Sequence, residues 1–274
     1  MRRLFPVVLV AATVATLAFL VLPIAAIFLR VPPGELVDAL GSEAARDALV
    51  VTLQTTLVAQ ALIIAFGTPT AYLLATRRFP GHSLAVTMIE LPLVLPPAVA
   101  GIGLLATFGR LGLLGSTFSA LGIEIAFTKV AVVLAVMFVA GPFYIRTAVA
   151  AFGSVDPALT DAARTLGAGP ARTFGRVALP LSLSGLGAGA ALSFARGIGE
   201  FGATIMFAGS LQGVTQTLSL AVYEQFDVSF NTALAIGAEL VVVSAAVLLA
   251  VKLVPSWRRS TSLFPTVSAT SASS

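Results

Sequence analysis

Arg196 and Glu200 are the charged residues of this 274-residue chain that most need a chemical explanation. They stand in Ala195-Arg196-Gly197-Ile198-Gly199-Glu200-Phe201-Gly202-Ala203-Thr204, inside a long apolar stretch. Their i, i+4 spacing puts both on one helical face, where they can pair. A lone charge at mid-bilayer costs about 2.5 kcal/mol or more, and pairing lowers that cost. Thr204, one turn beyond Glu200, offers a neutral donor on the same helix. Pro92, Pro96 and Pro97 interrupt a second apolar run, and each removes an intrahelical hydrogen bond. They mark either a static kink or a moving part beside a pathway. Other chemistry is missing. The chain has no cysteine and a single histidine, His82, expected as a solvated loop residue, so no zinc site and no catalytic set is expected. Neither Lys129 nor Lys252 closes a phosphate-binding Gly-x4-Gly-Lys-Ser/Thr loop. Gly197 to Gly202 fits Gly-x-Gly-x-x-Gly, but a dinucleotide site needs a strand before it. Close helix packing, as for Gly185-x3-Gly189, explains such glycines better.

The elements that must position these residues are membrane helices. Only 10% of residues are charged and 58% are apolar, whereas a soluble domain carries about 25% charged residues. This excludes an ordinary soluble enzyme, a disordered chain and a disulfide framework. Apolar runs long enough to cross about 30 Å of hydrocarbon predict six helices, near 5–29, 48–76, 83–108, 127–148, 181–207 and 231–254. The first run follows Arg2 and Arg3 but is about twice as long as a signal-peptide core, so a retained helix is expected. With the N-terminus in the cytoplasm, eleven cations fall inside and four outside (Arg30, Arg46, Arg110 and Lys129), which predicts both termini cytoplasmic. The net charge of +4 is then a topology signal, and no basic stripe suggests nucleic acid. Residues 1–255 read as one membrane domain and 256–274 as a Ser/Thr-rich disordered tail, with Trp257, Arg258 and Arg259 anchoring the last helix at the interface.

The longest inner segment, 149–180, is the informative one. Asp156 before Pro157 is an N-cap followed by proline at the first helical position, and Gly167 is a C-terminal stop. They define a helix from Pro157 to Leu166, too short to be stable alone in water. Ala158, Ala162 and Thr165 form a stripe of small side chains that lets another surface approach, unless the segment is a plain solvated connector.

The spacing Asp161-Ala162-Ala163-x3-Gly167-x9-Val177-Ala178-Leu179-Pro180 resembles the EAA loop of ABC-importer permeases, with Asp for Glu and Val for Ile. Leu91-Pro92-Leu93-Val94-Leu95-Pro96-Pro97, the Ala195–Thr204 segment and Thr215-Gln216-Thr217-Leu218 are similar to the molybdate permease subgroup, so the resemblance runs from about Leu49 to Val251. It implies an all-α, six-span type I importer fold in a bacterial or archaeal inner membrane, working as a homodimer. Two cytoplasmic ATPase subunits would bind ATP and magnesium, and this chain would hold no cofactor. A periplasmic or lipid-anchored binding protein would deliver an oxyanion, molybdate or tungstate, with sulfate or thiosulfate as the alternative. Asp161, Ala162, Ala163, Arg164, Leu166, Gly167 and Ala168 would then couple to the ATPase. Arg196, Glu200, Thr204, Pro96 and Pro97 would lie on the pathway, unless Arg196 and Glu200 form only a structural bridge. Glu90 and Glu239 are expected near interfaces or facing other helices, with no role. From another class, an ion-coupled secondary transporter would need a relay of buried acids, for which only Glu200 and Glu239 qualify. An intramembrane enzyme would need a paired Ser and His, two membrane aspartates or a metal cluster, and every aspartate falls in a loop.

Overall fold

The computed structural model describes residues 4–259. The predicted tail from residue 260 onward, and the side chains of Trp257, Arg258 and Arg259, lie outside the described residues. The elements are α1 (Leu4–Arg30), α2 (Pro33–Gly41), α3 (Glu43–Thr76), α4 (His82–Val94), α5 (Pro97–Phe108), α6 (Gly115–Ala120), α7 (Lys129–Gly153), α8 (Pro157–Thr165), α9 (Pro170–Thr173), a π turn (Phe174–Ala178), α10 (Leu179–Ile198), α11 (Gly202–Ala208), α12 (Leu218–Phe226) and α13 (Phe230–Arg259). Among the described residues, five helices are long and apolar enough to cross a membrane, six if the bent pair α4–α5 counts as one span.

Two predicted spans are broken, for identifiable reasons. The helix expected over 83–108 is two helices meeting at 116°. Leu95 and Pro96 both adopt an extended ψ of 133°, because a residue before proline is pushed out of the α region, and two prolines follow one another here. The helix expected over 181–207 stops at Ile198 and restarts at Gly202. At its other end it begins earlier, since α9, the π turn and α10 form one continuous rod from Pro170. The π turn precedes Pro180, whose ring would collide with the carbonyl of residue 176 in a regular α-helix; widening one turn relieves that collision. The connection between spans is therefore 154–169 rather than 149–180. The last helix runs on to Arg259, past the expected 254 and into residues read as tail. The short helices α2, α6 and α12 have no membrane-length apolar run and were not foreseen.

α7 is the axis of the bundle, packed on α3 along one side and on α10 along another. Small residues permit this. Ala131, Ala135, Ala140 and Gly141 are buried along α7, as are Ala59, Ile63 and Ala71 along α3. A Cβ on Gly185 would come within 2.5 Å of that of Ala151, and one on Gly189 within 3.1 Å of that of Thr147. Backbones approach closely enough for Ser193 Oγ to donate to the Ala140 carbonyl across the interface (3.0 Å). The contacts fix directions. Tyr72 meets Phe152 near the ends of α3 and α7, while Lys129 at the start of α7 donates to Gln54 in the first half of α3. The two helices run parallel, so the chain between them must return from one face of the bundle to the other. The bent pair α4–α5 makes that crossing. α10 runs antiparallel to α7, and α13 packs on α10 and α12 and carries α1 at the periphery.

Gly101→Val tests a further close approach, since a Cβ there would lie 2.5 Å from the Ala203 carbonyl oxygen. It is expected to cost about 1–3 kcal/mol, the usual range for overpacking, as a lowered melting temperature of detergent-solubilised protein. Gly103→Val, where a Cβ meets nothing within 4 Å, is expected to melt close to the wild type.

Candidate functional site

The two helix breaks are packed against each other. Gly202, the first residue of α11, is so close to Pro97 that a Cβ would sit 2.9 Å from the proline's own. Gly101 of α5 lies against Ala203 and Met206. The breaks thus form one irregular junction between α4–α5 and α10–α11.

Glu200 holds this junction. Its side chain is 1% exposed, and one oxygen pairs with Arg196 Nη1 at 2.7 Å. The other accepts from the Ala203 backbone N–H at 2.8 Å, capping the new helix across the break. Its carbonyl accepts from Ser219 Oγ, which also lies 3.0 Å from Thr217 Oγ1. Thr52 of α3 accepts from the Leu218 N–H at 2.8 Å and so fixes the start of α12 to the same region. Arg196 differs from Glu200: its side chain is 30% exposed, and among the described residues its guanidinium has no other acceptor. The pair therefore divides into a carboxylate with both oxygens occupied and a cation with spare donors at an accessible edge.

The remaining pathway candidates separate. Pro96 is exposed and Pro97 half-buried at the junction. Thr204 is fully buried and its hydroxyl has no hydrogen-bond partner, so in this conformation it does not share the accessible edge with Arg196. The reading of Gly197–Gly202 as packing glycines agrees with the contacts, for Gly197 abuts Val136 and Ala140. His82 is not simply solvated. It opens α4, its Nε2 lies 2.9 Å from the Leu74 carbonyl, and its ring stands edge-on to Phe79. Glu90, assigned no role from sequence, pairs with Arg146 of α7 at 3.7 Å. Sequence spacing could not reveal this pair, since 56 positions separate the two residues.

At one end of the bundle stands α8. Asp156 Oδ1 accepts from the Ala158 N–H at 2.9 Å, and Pro157 occupies the first turn. Gly167 at φ +82° closes the helix, with Gly167 N–H donating to Arg164 and Ala168 N–H to Ala163. The helix ends at Thr165, one residue short of the expected Leu166. None of its residues is buried. Ala163 and Ala168 are half-buried toward the bundle, Ala162 is exposed, and Asp161 pairs with Arg164 at 2.9 Å. Leu159 and Leu166 are exposed, Leu166 by 88%. Beneath it a crevice is lined by Tyr72, Thr76, Phe152, Thr160, Asp161 and Arg164. The rings of Tyr72, Phe152 and Phe174 lie 4.8–6.1 Å apart and join the ends of α3 and α7 to the π turn. A load on α8 therefore bears on an aromatic cluster shared by three helices.

A family model described as the binding-protein-dependent transport system inner membrane component matches residues 67–259. The chain belongs to this family. It is a permease subunit and a multi-pass membrane protein, and family membership sets aside the ion-coupled and intramembrane-enzyme readings. The molybdenum transport system permease protein ModB of Mycobacterium bovis is 42% identical over 238 residues, covering 87% of this chain and 90% of that protein. The probable sulfate transport system permease protein cysT of Nephroselmis olivacea is 33% identical over 249 residues, covering 89% and 87%. A crystal structure of a bacterial ABC transporter that imports alginate superposes with a TM-score of 0.75 at 16% identity, over 94% of this chain and 96% of that one. The fold is that of an ABC-importer permease.

For a permease of this fold, Glu200→Ala is expected to lose about 3 kcal/mol, because it strands Arg196 and the Ala203 N–H. The double variant Arg196→Gln with Glu200→Gln keeps hydrogen-bonding groups without charge and is expected to assemble. Thermal melting of the purified permease checks both.

Proposed function

We propose that this permease forms, with a second copy of itself, the membrane path of an ATP-driven importer for a tetrahedral oxyanion, molybdate. Two cytoplasmic ATPase subunits supply the energy by hydrolysing ATP with magnesium, and a periplasmic or lipid-anchored binding protein supplies the anion. Both termini lie in the cytoplasm, in line with the inner excess of Lys and Arg. The observation that carries the substrate is the identity to a molybdenum permease over nine-tenths of that protein's length. Tungstate shares the geometry of molybdate. Sulfate is the second reading, favoured by the 33% identical sulfate relative and weakened by that lower identity.

The chain's own residues do mechanical and electrostatic work, with no covalent step. α8 seats on the ATPase with Leu159, Leu166 and the small stripe of Ala158, Ala162 and Thr165, all exposed for that purpose. Asp161 and Arg164 neutralise each other at its rim. When the ATPases close, the push passes through Tyr72, Phe152 and Phe174 to α3, α7 and the α9–α10 rod. The bundles then rock between inward- and outward-facing states. At the junction Arg196 offers positive potential to the anion, and Glu200 beside it keeps the well shallow enough for release.

Proteoliposomes carrying permease, ATPase and binding protein are expected to move radiolabelled molybdate only with ATP, with strong competition by tungstate and weak competition by sulfate. Stronger competition by sulfate than by tungstate would overturn the substrate assignment. Gly167→Trp, which places a large residue at φ +82°, and Asp161→Lys are expected to abolish transport and transport-linked ATP hydrolysis while the permease stays in the membrane. Normal transport by both would remove α8 from the coupling role.

A further inference from the structure

The pair Arg146–Glu90 is poorly explained as a structural bridge. Arg146 Nε and Glu90 Oε1 stand 3.7 Å apart, with side chains 70% and 44% exposed. A bridge that open adds little to stability, because water screens it. Both residues nevertheless lie within stretches long and apolar enough to cross a membrane, the bent pair α4–α5 and α7. Glu90 is eight residues into α4 from His82, about 12 Å along the helix, and Arg146 is seven residues before Gly153, about 10 Å from the end of α7. The two helices give the same depth independently. Exposed to hydrocarbon, such charges would cost far more than so open a pair returns. A face that carries them suits water better than lipid.

Its position along the chain says which water it meets. α4 descends from Pro96–Pro97, where Pro97 touches Gly202 beside Glu200, to Glu90 about 10 Å below. The contacts between α7 and α10 place Arg146 near the level of Gly189, toward the α8 end of the bundle, and Arg196 near the level of Val136 to Ala140. The two pairs are built alike: an arginine with free donors, offset by a glutamate that is less exposed. The Glu90–Arg146 pair rests on an apolar bed of Leu74, Val86, Ile89, Ile145 and Val149, which leaves the charges pointing away from the protomer core.

We propose that Arg146 and Glu90 line a water-filled vestibule on the ATPase side of the pathway, where Arg146 is a second cationic station that receives the anion after Arg196. This rests on the proposed oxyanion transport. Arg146 draws the dianion off the junction, and Glu90 at 3.7 Å keeps it from being trapped. The station would discriminate by charge and admit any tetrahedral dianion, leaving selectivity to the binding protein.

The chain contains no cysteine, so a single introduced thiol is a clean probe. Proteoliposomes are prepared with the ATPase facing the bath and with binding protein and molybdate enclosed. Arg146→Gln is expected to slow ATP-driven molybdate transport several-fold, and Arg146→Lys to restore most of the rate. Arg146→Cys is expected to react with membrane-impermeant methanethiosulfonates added to the bath. A trimethylammonium reagent should then raise the rate and a sulfonate reagent should not. Failure of the thiol to react from the bath, or equal rates whichever charge is attached, overturns the proposal. Should Arg146→Gln not assemble, the two reagents on assembled Arg146→Cys protein still decide. If the wild type carries sulfate and excludes molybdate, the substrate reading fails, and the same charge comparison read with sulfate decides the vestibule separately.

Discussion

No water reaches the middle of a bilayer, so a helix that breaks there must find partners for its freed backbone groups within the protein. This chain breaks two spans, once at Leu95–Pro96 and once between Ile198 and Gly202, and packs the breaks together. Much of the architecture follows from that. Glycine is required at 101 and 202 because backbone meets backbone there. A carboxylate is required at 200 because Ala203 has an N–H with no carbonyl to meet. Once the carboxylate is buried, Arg196 is needed to balance it. A residue pair that looks like chemistry is thus first an answer to a hydrogen-bond deficit, and the cation's spare donors are what remain for an anion.

The rest of the bundle is stiff where the junction is irregular. α7 is lined with alanine and glycine on the faces that meet α3 and α10, and the two neighbours run in opposite directions along it. Close backbone approach with few large side chains leaves little room to slide. Such an assembly moves as a body, with the rings of Tyr72, Phe152 and Phe174 tying its α8 end together.

What could be read from the residues divides along physical lines. The apolar runs and the asymmetry of Lys and Arg show at once in one dimension, and so do Asp156-Pro157 and Gly167, because capping is local. α2 and α12 were invisible to the same reading, since a hydropathy argument counts only runs long enough to span. The breaks were half legible. The prolines at 96 and 97 announced an interruption but not a 116° turn, and Gly199 gave no sign that α10 would stop there, because what stabilises that stop is a contact from Glu200 to Ala203. Glu90 and Arg146, far apart along the chain, could not be joined without coordinates. Thr204 was misjudged for a related reason: helical spacing placed it one turn beyond Glu200, but the helix does not continue through that turn.

The single π turn at Phe174–Ala178 has a consequence for the length of the chain around it. Each residue of an α-helix advances the face by about 100°. The widened turn sets the rotational phase with which α10 leaves the α8 end of the bundle, so Gly185, Gly189 and Gly197 all arrive facing α7. Loss or gain of one residue between Gly167 and Gly185 would turn that whole face aside, pressing leucines into a seam shaped for hydrogen atoms. The nine-residue interval from Gly167 to Val177 thus acts as a gear setting: it fixes not only how far α8 stands from α10, but the angle at which α10 meets its neighbour.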